Sequence, residues 1–278
     1  MSAQRRLGGV LVRCPTGMLV ALVHQALAQL MKRLLKSTLR RFGWDVVRYS
    51  PTELADLSDE ERRIIATARP FTMTSIERMA ALINAVTYIV DNNIPGDLAE
   101  CGVWRGGSMM TIALTLLAHG ERTRSLYLYD TYEGMSVPTA FDRSFDGVSA
   151  DEQLKGQPRG TGVWCYASLD DVRANILSTG YPEDKIHLIK GKVEDTIPRI
   201  LPHALSILRL DTDWYESTKH ELTHLYPLLH AKGILIVDDY GHWQGARRAV
   251  DEYFRARGEK IYLHRIDYTG RLAVKTAG

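Results

Sequence analysis

From residue 97 to the C-terminus, short apolar runs alternate with longer stretches in which apolar residues recur at helical spacing. The short runs, 97–103, 125–129, 185–190, 204–210 and 233–237, have the length and bounding turn residues of buried strands. The periodic stretches, about 107–118, 169–179, 194–200, 215–229 and 245–256, predict helices between them. Two further strands are expected near 260–266 and 271–275. This alternation predicts an α/β fold with a doubly wound, mostly parallel sheet. Ahead of it, Thr74 or Ser75 caps a helix that continues to Val90, and Asn92, Asn93, Pro95 and Gly96 end it. Pro51 to Asp59, rich in Pro, Ser and acids, reads as a linker.

The first 50 residues have a different character. Leu27, Leu30, Leu34, Leu35 and Leu39 recur at helical spacing, while Lys32, Arg33, Lys36, Arg40 and Arg41 fill the other positions. This basic amphipathic segment suits a helix packed on the body of the protein, and equally a peripheral contact with an anionic membrane. It holds nine Lys or Arg against one acid, Asp45, so the net charge of +2 conceals an acidic remainder. No aromatic or folded nucleic-acid motif accompanies the basic residues, so no nucleic-acid partner is expected. His24, Gln25 and Gln29 interrupt the apolar run from Met18 to Leu30, and no small-residue cleavage site follows, which argues against a signal peptide. Cys14, Cys101 and Cys165 are too few and too scattered for a disulfide framework, so a reduced, cytoplasmic setting is expected.

Candidate chemistry gathers where the runs end. Leu205–Leu210 runs into Asp211-Thr212-Asp213-Trp214-Tyr215-Glu216, and Gly233–Val237 runs into Asp238-Asp239-Tyr240-Gly241-His242-Trp243. Open α/β sheets bind ligands at the carboxyl ends of their strands. Neighbouring strands lie about 4.8 Å apart, so acids at adjacent ends can converge on one divalent cation. Consecutive strand residues face opposite ways, so Asp238 and Asp239 can share a metal only where the backbone has left the strand. Trp214, Tyr215, Tyr240 and Trp243 flank the acids, as a platform for a sugar or as packing. Arg209, inside an apolar run, is expected to pair with a nearby acid.

On the other side, Glu100-Cys101-Gly102-Val103-Trp104-Arg105-Gly106-Gly107-Ser108 turns the first strand into its helix, without the G-x-G-x-x-G spacing of dinucleotide sites. Asp130 ends the second strand, where an acid commonly holds ribose hydroxyls. Together they point to a nucleoside-bearing cofactor, whose adenine the turn from Lys190 and Gly191 to Glu194 could wall. Thr131 to Gly162 is too long for an ordinary connection, and a mobile lid is expected over about 131–166. His220-Glu221-Leu222-Thr223-His224 matches the zinc-protease signature H-E-x-x-H, but its helix leads away from the carboxyl edge, so a chance match is expected. An NAD-dependent oxidoreductase would use the glycine turn and Asp130 yet have no need of the acidic clusters. A non-catalytic scaffold would bind neither cofactor nor metal.

The run Leu98 to Ser108, the stretch Leu128-Tyr129-Asp130-Thr131-Tyr132-Glu133-Gly134-Met135, the segment Lys190-Gly191 to Asp195-Thr196 and the two acidic clusters together resemble the macrocin O-methyltransferase family. The resemblance runs from about Arg69 to Tyr268 and leaves residues 1 to about 50 outside it. It implies a class I methyltransferase fold whose seven-strand sheet has an antiparallel last strand, with residues 51–96 forming the linker and a helix over the cofactor site and residues 97–278 the methyltransferase domain. Members of that family methylate sugar hydroxyls of glycosylated metabolites with S-adenosylmethionine and magnesium, so a glycosylated natural product or glycolipid is the implied acceptor. Carried onto this chain, the resemblance gives Asp211, Asp238 and Asp239 as metal ligands and Asp213 as general base. It puts Met73, Glu100, Gly102, Ser108 and Asp130 on the cofactor. It also implies a homo-oligomer. The lid and the ending Thr269-Gly270-Arg271-Leu272-Ala273-Val274 depart from the family pattern, and both bear on the acceptor more than on the chemistry.

Overall fold

Leu98 and Ala99, Ile207 and Leu208, and Ile234 and Leu235 are neighbours in sequence whose members lie in different apolar cores. That is the period-two alternation of strands covered on both faces. In this computed structural model, which describes residues 54–155, 157 and 164–276, the strands are β1 (Asp97–Cys101), β2 (Leu126–Asp130), β3 (Ile186–Lys190), β4 (Leu205–Leu210), β5 (Leu229–Val237), β6 (His264–Arg265) and β7 (Arg271–Val274). They form one sheet in the order β3-β2-β1-β4-β5-β7-β6. The first five are parallel, and β7 runs antiparallel beside β5, as the resemblance implied. The strand order reverses between β1 and β4, which places a crevice at their carboxyl ends.

The helices are α1 (Asp59–Ala68), α2 (Ile76–Asp91), α3 (Gly107–Ala118), α4 (Ala150–Lys155), α5 (Leu169–Leu177), α6 (Val193–Thr196), α7 (Tyr215–His224) and α8 (Gln244–Arg257). Ile64 and Ile65 of α1, Leu82, Val86 and Ile89 of α2, Ile112 and Leu116 of α3, and Val172 and Ile176 of α5 pack with Leu98, Leu128, Ile207 and Ile236 on one face. Leu222 of α7 and Val250 and Phe254 of α8 pack with Ala99, Leu208, Leu235 and Val237 on the other. Each such fully buried side chain contributes roughly 1.5–3 kcal/mol, so tertiary packing rather than helix propensity fixes the layers.

The differences from expectation have local causes. α1 was not expected, yet Ser58 and Glu61 form a full capping box at its start. Ser75, not Thr74, caps α2, its Oγ accepting from the Arg78 amide at 3.2 Å. α7 stops at His224 because Pro227 follows in a 3₁₀ turn, Tyr226–Leu228, where it cannot donate a helical hydrogen bond. β5 begins at Leu229, ahead of the expected start, because exposed His230 and Lys232 hide its first residues from an apolar-run reading. The expected basic helix over 1–50 lies outside the described residues. Among those described, no helix is long and apolar enough to cross a membrane.

The described part of the expected lid carries α4 and is fastened along its length. Ser144 bridges to Trp243, the Gln244 amide donates to the Arg143 carbonyl at 2.8 Å, and the Trp214 indole donates to the Ser136 carbonyl at 3.0 Å. Asp142, fully buried, accepts the Tyr215 amide at 2.8 Å with Oδ1 and the Thr139 amide at 2.6 Å with Oδ2, fixing the start of α7 to this loop. Gly245 leaves the room for it, since a Cβ there would stand 2.1 Å from Asp142 Oδ1.

Candidate active site

Strand pleat and register assemble an ionic knot beneath the carboxyl edge. Glu100 of β1 lies opposite Arg209 of β4, which lies opposite Ile236 of β5, so Asp238, two residues on, shares their face. Arg209 is almost wholly buried and donates to Glu100, to Asp211 Oδ2 at 2.6 Å, to Asp238 Oδ1 at 2.5 Å and to Thr74 Oγ1 at 3.2 Å. Arg78 of α2 closes the other side, donating to Asp238 Oδ2 and lying 3.0 Å from Asp267 Oδ2. Burial pushes Glu100 up to about 8, against the pull of Arg209. It pushes Asp238 up to about 6, against both arginines and with repulsion from Asp211.

Above this knot Asp211, Asp213 and Asp239 each offer an oxygen, and these atoms lie within 4.8 Å of one another. They form the one cluster of three or more such groups among the described residues. Asp213 adopts φ 68°, a left-handed conformation that Asp tolerates better than most side chains. Its carboxyl lies beside Asp239, and Asp213 and Trp243 line the same cavity. Burial, then repulsion from Asp211 and Asp238, pushes it up to about 7. Asp239 is driven well above the carboxylate range by burial and then by Asp213.

The convergent trio is therefore not the ligand set the resemblance gave. Asp238 lines the same cavity as Asp239, but both of its oxygens are engaged by arginines. Asp213 stands where Asp238 was expected.

A cavity of about 500 Å³ opens in front of these acids. Met73, Gly102, Ser108, Asp130, Gly191 and Glu194 all line it. Glu100 does not: it sits behind the wall on Arg209, with its Oε2 buried and unpartnered. Gly102 has φ 80°, and a Cβ on it would meet the Asp211 carbonyl oxygen at 2.0 Å, so only glycine lets β1 turn this close to β4. Asp130 staples that turn, taking the Val103 and Trp104 amides on Oδ2 at 2.7 and 3.1 Å and the Tyr132 amide on Oδ1 at 2.7 Å. Three of the six non-glycine residues with left-handed φ, Trp104, Cys165 and Asp213, line the cavity, a clustering typical of functional sites.

Of the four aromatic residues proposed as a sugar platform, only Trp243 lines the cavity. Trp214 is buried and packs edge-on against Trp243 at 4.9 Å. Tyr215 is buried at the start of α7 with its hydroxyl on Glu252 at 2.7 Å, and Tyr240 turns outward to Asp251 at 2.7 Å. Packing claims Trp214 and Tyr215 because the turn after Asp213 rolls straight into α7. His242 and Tyr268 line the cavity instead, together with Arg78 and Thr74 from the α2 side, which no motif marked.

The H-E-x-x-H match resolves as packing. His220 Nε2 lies 2.8 Å from the Ile197 carbonyl, the two histidine rings sit 4.4 Å apart, and Glu221 points the other way into the core. There its Oε1 accepts the Thr212 hydroxyl at 2.9 Å, next to the acidic trio, and burial pushes it up to about 8. An acid whose pKa is raised on folding costs stability as pH climbs from its unfolded value, about 4.3, to its folded one. Glu221→Gln is expected to match the parent below about pH 4 and to exceed it increasingly up to about pH 8 in urea denaturation. A constant gap between the two across that range would show Glu221 ionised in the fold.

A parallel sheet with one antiparallel strand, a glycine turn after β1 and an acid ending β2 define a class I methyltransferase, here an S-adenosylmethionine-dependent O-methyltransferase. The chain belongs to the macrocin-O-methyltransferase (TylF) family, whose model matches residues 22–274. That match reaches into the N-terminal segment, which the resemblance in sequence left outside the family. The demethyldecarbamoylnovobiocin O-methyltransferase of Streptomyces niveus is 35% identical over 186 residues, 67% of this chain and 68% of that one. A tetracenomycin-C rhamnosyl 4'-O-methyltransferase of Streptomyces olivaceus is 35% identical over 199 residues, 72% and 73% of the two chains. The solved structure of the O-methyltransferase NovP, 33% identical, superposes with a TM-score of 0.65 over 74% of this chain and 83% of that one.

Proposed function

We propose that this enzyme transfers a methyl group from S-adenosylmethionine to a hydroxyl of a sugar carried by a glycosylated natural product, with a magnesium ion at the acidic cluster. The observation that carries the reading is the convergence of Asp211, Asp213 and Asp239 at the end of a cofactor-sized cavity. The relatives' names supply the acceptor class, since they methylate novobiocin-, tetracenomycin- and mycinamicin-type glycosides.

The residues fit both groups. Three carboxylate oxygens are the hard donors magnesium takes, and among the described residues Arg209 and Arg78 pair with Asp211 and Asp238 but not with Asp213 or Asp239. Gly102, the start of α3 and Asp130 leave close-approach space for a nucleoside and its amino-acid tail. Asp211 and Asp239 belong both to the ligand set the resemblance implies and to the convergent trio, which supports them as the cation ligands. When bound, the cation supplies Lewis acidity toward a sugar hydroxyl, and S-adenosylmethionine supplies an electrophilic methyl.

The chain's own residues do the rest. Asp213 would accept the hydroxyl proton on its carboxylate as the oxygen attacks the methyl group. Arg209 and Arg78 keep Asp238 and Asp211 turned and charge-balanced from behind. The fastened loop over 131–155 walls the site from water.

Calorimetric titration of magnesium into protein bearing S-adenosylhomocysteine tests the reading. Saturable binding is expected, lost in Asp239→Asn and weakened less in Asp238→Asn. Methyl transfer to a glycoside acceptor that persists at full rate in EDTA would discard the metal and keep the methyltransferase.

A further inference from the structure

A cavity of about 500 Å³ is the size that encloses one drug-sized ligand. On the proposed reading cofactor and sugar both occupy it, which leaves whatever the sugar is attached to outside. On the acid side the wall is His242 and Trp243, and behind that wall lies a second hollow of about 670 Å³ that shares both residues.

The chemistry of this hollow is distinct. Phe141, Phe145 and Tyr240 line it, but Arg248 lies over the Phe141 ring at 4.1 Å and Arg247 over the Tyr240 ring at 5.4 Å, so among these described rings Phe145 is the one with no cation over it. Phe145 is 64% exposed, an unusual position for a phenylalanine, and it meets the His242 ring at 5.6 Å and the Tyr268 ring at 6.5 Å. His242 and Tyr268 also line the first cavity, so these rings form a continuous rim from one hollow to the other. Four arginines, Arg143, Arg247, Arg248 and Arg255, face two carboxylates, Asp251 and Glu252. Arg248 is neutralised by Glu252 at 2.7 Å, and Arg247 lies only loosely on Asp251 at 3.8 Å. Arg143 meets just the Gly147 carbonyl, and Arg255 has no ion-pair partner among the described residues. The hollow therefore carries surplus positive charge beside flat apolar faces. Guanidinium groups fork onto anions and stack on rings, which a merely solvated lysine face would not do.

We propose that this second hollow binds the non-sugar part of the acceptor, and that this part is a flat ring system bearing an anionic group. The ring lies against Phe145 and His242, and the anion is met by Arg143, Arg247 and Arg255. The inference rests on the sugar-acceptor reading above and adds the chemistry of what the sugar carries. Two sources share that chemistry, an aromatic carboxylic acid and a nucleoside diphosphate.

The full chain bearing S-adenosylhomocysteine is titrated calorimetrically with two matched pairs, 1-hydroxy-2-naphthoate against 2-naphthol and thymidine diphosphate against thymidine. At least one anionic member is expected to bind tenfold or more tighter than its neutral partner, and which pair does so names the source. That preference is expected to fall toward unity in Arg143→Ala/Arg255→Ala and in rising salt. Phe145→Ala is expected to weaken charged and neutral members alike. No preference in either pair, or a preference that survives both the double variant and high salt, overturns the proposal. Retained S-adenosylhomocysteine affinity in each variant shows that it is folded. Failure of the parent chain to bind S-adenosylhomocysteine would instead count against the cofactor reading.

Discussion

Asp213→Asn is expected to lower the rate of methyl transfer by about 10²–10⁴-fold, the contribution of a positioned general base. Affinity for S-adenosylhomocysteine is expected to stay within about threefold of the parent, a change of less than roughly 0.7 kcal/mol. The separation follows from where Asp213 sits. Its carboxyl lies beside Asp239, whereas the proposed cofactor residues Gly102, Ser108 and Asp130 belong to the β1 and β2 side. Asn preserves the size of the side chain and, like Asp, tolerates left-handed φ, so the turn is undisturbed. Single-turnover rates with a glycoside acceptor, set beside calorimetric affinities, decide it. Near-parental turnover would remove Asp213 from the proton transfer and leave it as a cation ligand at most.

Arg209→Met is expected to destabilise the fold by about 3–5 kcal/mol, because it strands carboxylates that no other group can fully compensate. Arg78 can still reach Asp238, but Glu100 and Asp211 lose their charged partner. For a domain of this size the melting temperature should fall by on the order of 10 °C. The deficit should also grow above about pH 6. Asp238, pushed up to about 6 with Arg209 present, would hold its proton to higher pH without it. At Asp238 the variant thus keeps losing stability above the pH where that group's cost in the parent has levelled off. Arg209→Lys should rescue little, since one ammonium cannot span three carboxylates and Thr74. Thermal melts at pH 5.5 and pH 8 check both claims, and a loss below about 1 kcal/mol at pH 8 would show that the acids find other partners.

The parallel strands were legible because each is a short apolar run closed by a turn or an acid, as Leu205–Leu210 before Asp211 illustrates. The glycine turn and Asp130 were legible for the same reason: their residue types serve a strand-to-helix corner wherever it occurs. Arg209 was expected to find an acid, but the identity of its partners depends on register. Glu100 lies 109 residues away and meets Arg209 only once β1 and β4 align. Arg78 gave no signal at all, because a single arginine in an amphipathic helix reads as solvated surface. Strand alternation at Asp238 and Asp239 was legible in principle, yet the arginines that claim Asp238 had to be placed before that residue could be excluded from the convergent trio.

The fastening of Asp142 to Gly245 has a consequence for how such enzymes exchange specificity. Segments 136–150 and 243–245 are far apart in the chain but fit as lock and key, since any side chain at 245 would displace the Asp142 carboxylate from the start of α7. A chimera that grafts the loop from a relative while keeping its own residues at 243–245 inherits a mismatch beside the acidic trio, far from the new contacts it was built to gain. Productive recombination in this fold has to cut twice, moving both segments together or neither.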